Sequence, residues 1–152
     1  MNKAFEKIFK GKVVIVGIGN TLRGDDGFGP ALIKRLEGKV KACCIDAGSA
    51  PENFTGKIVK EKPDTILMVD ALHLGLAPGA WEILKKDEIA KSGLSTHDIS
   101  PNMFIEYLES RTCADIYMLG VQPKDISFGR EMSAEIKNTL EEIAGLICMN
   151  RI

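Results

Sequence analysis

Four aspartates and one histidine stand where the chain leaves apolar runs, and together they could hold a divalent cation. Asp25 and Asp26 follow the run Val13–Ile18, within Gly17-Ile18-Gly19-Asn20-Thr21-Leu22-Arg23-Gly24-Asp25-Asp26-Gly27. Asp46 closes VKACCID, Asp70 closes DTILMVD, and His97 sits in Ser95-Thr96-His97-Asp98. Carboxylates plus one imidazole form an oxygen and nitrogen donor set that suits nickel, zinc, iron or manganese. Three protein ligands would leave coordination positions open for a substrate. The same residues also have plainer roles open to them. Asp25 or Asp26 could cap a helix beginning near Phe28. Asp70 could fix the turn after its strand through local side-chain bonds, and His97 could simply start a helix near Ser100-Pro101.

Other chemistries fit less well. Gly17-x-Gly19 after an apolar run suggests a dinucleotide loop, but the third glycine of that fingerprint falls on Leu22. Asp25 and Asp26 would then face a pyrophosphate and repel it. No Gly-Lys-Ser/Thr phosphate loop and no Gly-x-Ser-x-Gly elbow occurs, and no cysteine lies in a plausible nucleophile loop.

The elements that must position these residues alternate between strand and helix. Residues 12–18, 40–46, 64–70 and 114–121 read as short apolar strands. Residues 79–84 read as a further strand, and the short connection through Pro78-Gly79 suits an antiparallel edge. Helices are expected from a first turn that holds Pro30 up to Gly38, over 51–61, near 86–91, over 101–110 and over 133–149, the last with Ser133 as its N-cap. This pattern predicts an α/β fold of three layers, α/β/α. Its five-stranded twisted sheet is mostly parallel, with one antiparallel edge strand. Ligands of such sheets bind at the carboxyl ends of the strands, where the aspartates and the histidine fall.

Composition narrows the class. With 152 residues, 45% hydrophobic and 27% charged, the chain is expected to form a single domain over 1–152, with 1–11 as an N-terminal extension and 12–150 as the α/β unit. Twenty basic against 21 acidic residues leave a net charge of −1, which argues against nucleic-acid binding. No apolar run approaches the roughly 20 residues of a membrane helix, and MNKAFEKIFK has no apolar signal core. The expectation is a cytoplasmic protein without membrane insertion. Cys43, Cys44, Cys113 and Cys148 form no C-x-x-C pair and read as buried free thiols.

Taken in order, these blocks resemble the hydrogenase maturation endopeptidases, which trim the large subunit of nickel–iron hydrogenases. The resemblance covers residues 13–149 and is carried chiefly by Gly17–Pro30, which is similar to the family's opening signature. Asp46-Ala47-Gly48-Ser49-Ala50-Pro51-Glu52-Asn53-Phe54 resembles the loop after the second strand, with Ala47 in place of a common glycine. Its Ser-Ala-Pro-Glu-Asn form is closest to the hydrogenase 3 and energy-converting branch. Val69-Asp70-Ala71, Ser95-Thr96-His97 and Gly120-Val121-Gln122-Pro123 match the remaining blocks.

The resemblance implies a phosphorylase/hydrolase-like sheet and a metal-dependent endopeptidase, an aspartyl protease in the sense of its carboxylate ligands. It implies that Asp26, Asp70 and His97 are the catalytic and metal-contacting residues. The metal would be nickel, supplied by the substrate precursor, with no organic cofactor. Asp46 and Gly48 match a loop behind these contacts, and His73 has no counterpart in the pattern. The implied partner is a hydrogenase large-subunit precursor, from which a C-terminal extension is removed. The alternative is a non-catalytic nickel-sensing or hydrogenase-assembly module using the same rim. A ligating imidazole must be neutral, so activity is predicted to fall below about pH 6, near the ordinary histidine pKa of ~6.5. Rates unchanged at pH 5 would remove His97 from the ligand set.

Overall fold

The structure, a computed structural model, describes residues 3–92 and 101–152. Eleven regular elements follow one another: α1 (Ala4–Ile8), β1 (Val13–Ile18), α2 (Phe28–Leu36), β2 (Cys43–Gly48), α3 (Thr55–Lys60), β3 (Thr65–Ala71), β4 (Trp81–Lys85), α4 (Lys86–Ser92), α5 (Pro101–Glu109), β5 (Asp115–Val121) and α6 (Ala134–Met149). Short 3-10 turns at Gly24–Gly27 and Pro51–Phe54 lead into α2 and α3.

The sheet order is β2-β1-β3-β5-β4. β1 is parallel to both β2 and β3, β3 is parallel to β5, and β4 is antiparallel to β5. β1 and β3 are buried at every position, as expected of strands covered on both faces. Alternation sends their side chains into two cores. Ile15, Leu67, Val69 and Leu119 face α1, α2 and α6. Val16, Ile66, Met68 and Met118 face α3, α4 and α5. The three-layer arrangement and the antiparallel edge agree with the sequence pattern.

Phe5 and Ile8, ahead of β1, belong to the first core. Phe5 is fully buried and stacks between Phe9 and Trp81, with ring centroids 5.5 and 5.7 Å away. Thr65 ties the segment to β3, because its hydroxyl accepts from Lys10 N at 3.1 Å and donates to Lys10 O at 2.9 Å.

Local expectations needed several corrections. β2 begins at Cys43, three residues later than the apolar run VKACCID suggests, because parallel pairing with β1 starts at Val14↔Cys43. The helix expected over 51–61 is a 3-10 turn followed by α3. Ser133 stands at the N-cap of α6 but makes no side-chain cap bond. None of the cysteines is fully buried, and Cys113, between α5 and β5, is exposed.

That last difference is testable. Burial, reinforced by the neighbouring Cys43 thiol, pushes the Cys44 thiol up to about 11, so little thiolate exists there at pH 8. Only thiolates attack disulfide reagents. In the native protein at pH 8, Ellman's reagent is expected to modify Cys113 at least about tenfold faster than Cys44. Equal rates for the two thiols would contradict this placement.

Candidate active site at the carboxyl rim of the sheet

β1, β2, β3 and β5 are parallel, so their carboxyl ends lie along one rim, and register fixes what stands there. Asp46 of β2 pairs with Gly17 of β1, which pairs in turn with Val69 of β3. Asp70 follows and pairs with Gly120 of β5. Two of the expected site residues, Asp26 and Asp70, thus come to neighbouring elements, because the 3-10 turn Gly24–Gly27 packs on β3.

Asp70 is 1% exposed. By alternation it lies on the face of β3 that carries Met68 and Leu72. The turn after it is held from outside. Leu72 N donates to Val121 O at 2.9 Å, and Leu74 N donates to the Gln122 side-chain oxygen at 2.6 Å. A glutamine distant in sequence therefore supports the loop that follows Asp70.

Asp26 is partly buried. Its Oδ2 accepts from Asn20 N at 2.9 Å, while Asp26 N donates to Arg23 O at 3.0 Å. These bonds close the 20–26 loop on itself. The loop also needs glycine at 19. Gly19 has φ of +146°, and a Cβ there would lie 1.8 Å from Asp26 O. A side chain at 19 would push the backbone of Asp26 away from the end of β1.

Asp25 behaves unlike its neighbour. It is fully buried, and its carboxylate accepts from Lys124 N, Asp125 N, and both the N–H and the hydroxyl of Ser133. The helix-cap reading of the acidic pair therefore fails. The N-cap of α2 is Gly27, with no side-chain cap bond. The hydroxyl of Ser133 serves Asp25 rather than α6.

Asp46 is exposed, and its Oδ1 accepts from Gly48 N at 3.1 Å, which shapes the strand end. His73 is exposed on the loop after β3. His97, with Ser95, Thr96 and Asp98, lies outside the described residues. Among the described residues, no three His, Cys, Asp or Glu side chains gather closely enough to hold a metal ion. The rim segment 124–133 carries its own ionic ties. Glu135 hydrogen-bonds Lys124 at 2.9 Å, which raises the lysine pKa and lowers that of the carboxyl, while the Ser127 hydrogen bonds hold the Asp125 carboxyl below its ordinary value.

Sequence reasoning gave Gln122 only a place in a strand-end block and took Ser133 for a cap. Neither contact has a local signal, because each partner lies 48 or more residues away.

Comparison with known proteins shows the family. The family model described as HycI, hydrogenase maturation protease, matches residues 30–150. The hydrogenase 3 maturation protease of Escherichia coli K12 is 35% identical over 133 residues, covering 86% of this chain and 85% of its own. The crystal structure of a nickel–iron hydrogenase maturation protease, HycI, from Thermococcus kodakarensis superposes with a TM-score of 0.89 at 35% identity, covering 96% of this chain and 97% of its own. The solution structure of the endopeptidase HycI from Escherichia coli gives a TM-score of 0.79 at 34% identity, covering 89% and 88%. Among the described residues no helix is long and apolar enough to cross a membrane. The chain belongs to the hydrogenase maturation proteases, hydrolases that act on peptide bonds.

Proposed function

We propose that this chain removes a C-terminal extension from a nickel-loaded hydrogenase large-subunit precursor, and that Asp26, Asp70 and His97 contact the nickel the precursor carries. The observation that best supports this reading is that Asp26 lies on the loop after β1 and Asp70 at the end of the adjacent β3, at the same end of the sheet. Two carboxylates and a neutral imidazole offer hard and borderline donors to a divalent ion with free coordination positions. Nickel is part of the substrate here, so the enzyme needs no resident metal and no organic cofactor.

Docking on the substrate's metal would hold the scissile peptide beside the rim, and that proximity alone lowers the barrier substantially. The metal can further polarise the scissile carbonyl or acidify a bound water. Asn20 N keeps one oxygen of Asp26 engaged, which leaves the other for the substrate's metal. The chain works as one domain, with residues 1–11 as an N-terminal extension, of which Phe5 stacks on Trp81 of β4. The reaction belongs in the cytoplasm, in keeping with four free thiols.

The mass of the cognate precursor, with and without nickel, tests the reading. Loss of a C-terminal peptide only in the nickel-loaded sample is the expected result. A stable, uncut complex would instead favour the nickel-sensing or assembly module.

A further inference from the structure

Asp25 and Asp26 are adjacent in one 3-10 turn yet face different tasks. Asp26 is only partly buried, while Asp25 is 0% exposed and surrounded by donors. Its Oδ2 accepts from Lys124 N at 2.8 Å and Asp125 N at 3.0 Å. Its Oδ1 accepts from Ser133 N at 2.7 Å, and the Ser133 hydroxyl lies 3.0 Å from Oδ1 and 2.9 Å from Oδ2. These donors sit at the two ends of the 124–133 segment. One carboxylate therefore clasps both ends of the segment.

The clasped segment in turn holds the loop that carries Asp26. Gly24 N donates to Arg130 O at 3.1 Å, Asp25 N to Asp125 O at 3.0 Å, and Gly129 N to Leu22 O at 2.8 Å. Arg23 Nε donates to Ile126 O at 3.2 Å. Within the loop, Arg23 O receives Asp26 N and Asn20 N reaches Asp26 Oδ2. Hydrogen bonds and the short backbone stretches between them thus link the buried carboxylate, through the 124–133 segment, to the loop that holds Asp26.

We propose that Asp25 is a positioning residue, whose carboxylate clasps the 124–133 segment and so fixes the direction in which Asp26 meets the substrate; this rests on the reading of Asp26 as a contact to the substrate's nickel. The role needs a carboxylate. Every neighbour is a donor, and only a group that accepts on both oxygens matches them. Asparagine would set its amide N–H groups against backbone N–H groups, leaving buried donors without acceptors.

Asp25→Asn and Ser133→Ala are compared with the wild type on nickel-loaded precursor, with the folded fraction measured by circular dichroism and amide exchange followed at Asn20. Rates are expressed per folded molecule. Asp25→Asn is expected to lower kcat by about 100-fold, the cost of a small misplacement of a reacting group. KM, set by the wider contact with the precursor, should move by less than about threefold, and exchange at Asn20 should quicken at least about tenfold as its bond to Asp26 loosens. Ser133→Ala removes one hydroxyl donor and should lower kcat by about fivefold; it decides the matter alone if Asp25→Asn does not fold. A kcat per folded molecule within about twofold of wild type for both variants, or unchanged exchange at Asn20, would overturn the proposal and leave Asp25 a purely structural clasp. If the wild type itself does not cut the precursor, the proposed function fails, while exchange at Asn20 still judges the role of Asp25.

Discussion

Asp26→Asn is expected to end trimming of the nickel-loaded precursor while the protein stays folded. Asp26 is partly buried, and its Oδ2 accepts the Asn20 N–H. Asparagine keeps an oxygen for that bond, so the 20–26 loop should close as before. What is lost is the negative charge and the second oxygen available to a metal. Altering the groups behind a metal ligand typically costs 10–100-fold, so loss of a ligand itself should cost at least about 100-fold in kcat/KM. The mass of the precursor over time measures the rate, and circular dichroism checks the fold. Cleavage within about tenfold of the wild type would show that Asp26 does not contact the reacting centre. Asp46→Asn is a useful companion. Asp46 is exposed and bonds its own strand end through Gly48, so its replacement should slow trimming far less.

Gly29→Ala is expected to give a large loss of stability from a single methyl group. Gly29 lies in the first turn of α2, where alanine would ordinarily favour the helix by about 1 kcal/mol. The packing reverses that preference. A Cβ at 29 would lie 2.3 Å from Ile18 O, 2.5 Å from Ile18 N and 2.7 Å from Val69 O. These are backbone atoms of the paired strands β1 and β3, which cannot swing aside as a side chain can. Overpacking costs about 1–3 kcal/mol where neighbours yield, so a net loss of roughly 3 kcal/mol is expected here, with a fall in Tm of roughly 6–12 °C. Gly145→Ala in α6 is the control. Nothing lies within 4 Å of its added Cβ, and it should stabilise by about 0.5–1 kcal/mol. Urea unfolding of both variants checks the pair. A Gly29→Ala protein as stable as Gly145→Ala would mean that α2 does not press on the sheet as described. The consequence reaches function, because α2 begins directly after the turn that carries Asp25 and Asp26.

Much of this protein was legible along the chain. The run KVVIVGI could only be a strand covered on both faces, and DTILMVD repeats the pattern. A strand ending in aspartate sets a carboxylate at a sheet's carboxyl edge, which placed Asp46 and Asp70 there, and the loop after β1 brought Asp26 to the same edge, before any tertiary contact was considered. The short path through Pro78-Gly79 likewise announced the antiparallel edge, because a parallel crossover needs more chain. Periodicity and connection length are local properties, and local properties survive in a linear reading.

The tertiary structure decided what depends on residues brought from far along the chain. Two adjacent aspartates look alike in sequence, yet Asp25 is buried beneath Lys124, Asp125 and Ser133, while Asp26 stays partly exposed. Ser133 has the sequence position of a helix cap and the spatial position of a donor to Asp25. Gln122 closes a strand and also supports the loop beyond Asp70. Cys113 follows an amphipathic helix and still reaches the surface. In each case hydrophobic pattern sets the element, while the partner of a polar side chain is chosen by which donors and acceptors packing brings within about 3 Å. That choice is a property of the folded chain, since these partners lie 48 to 108 residues apart and meet only when β5 takes its place beside β3.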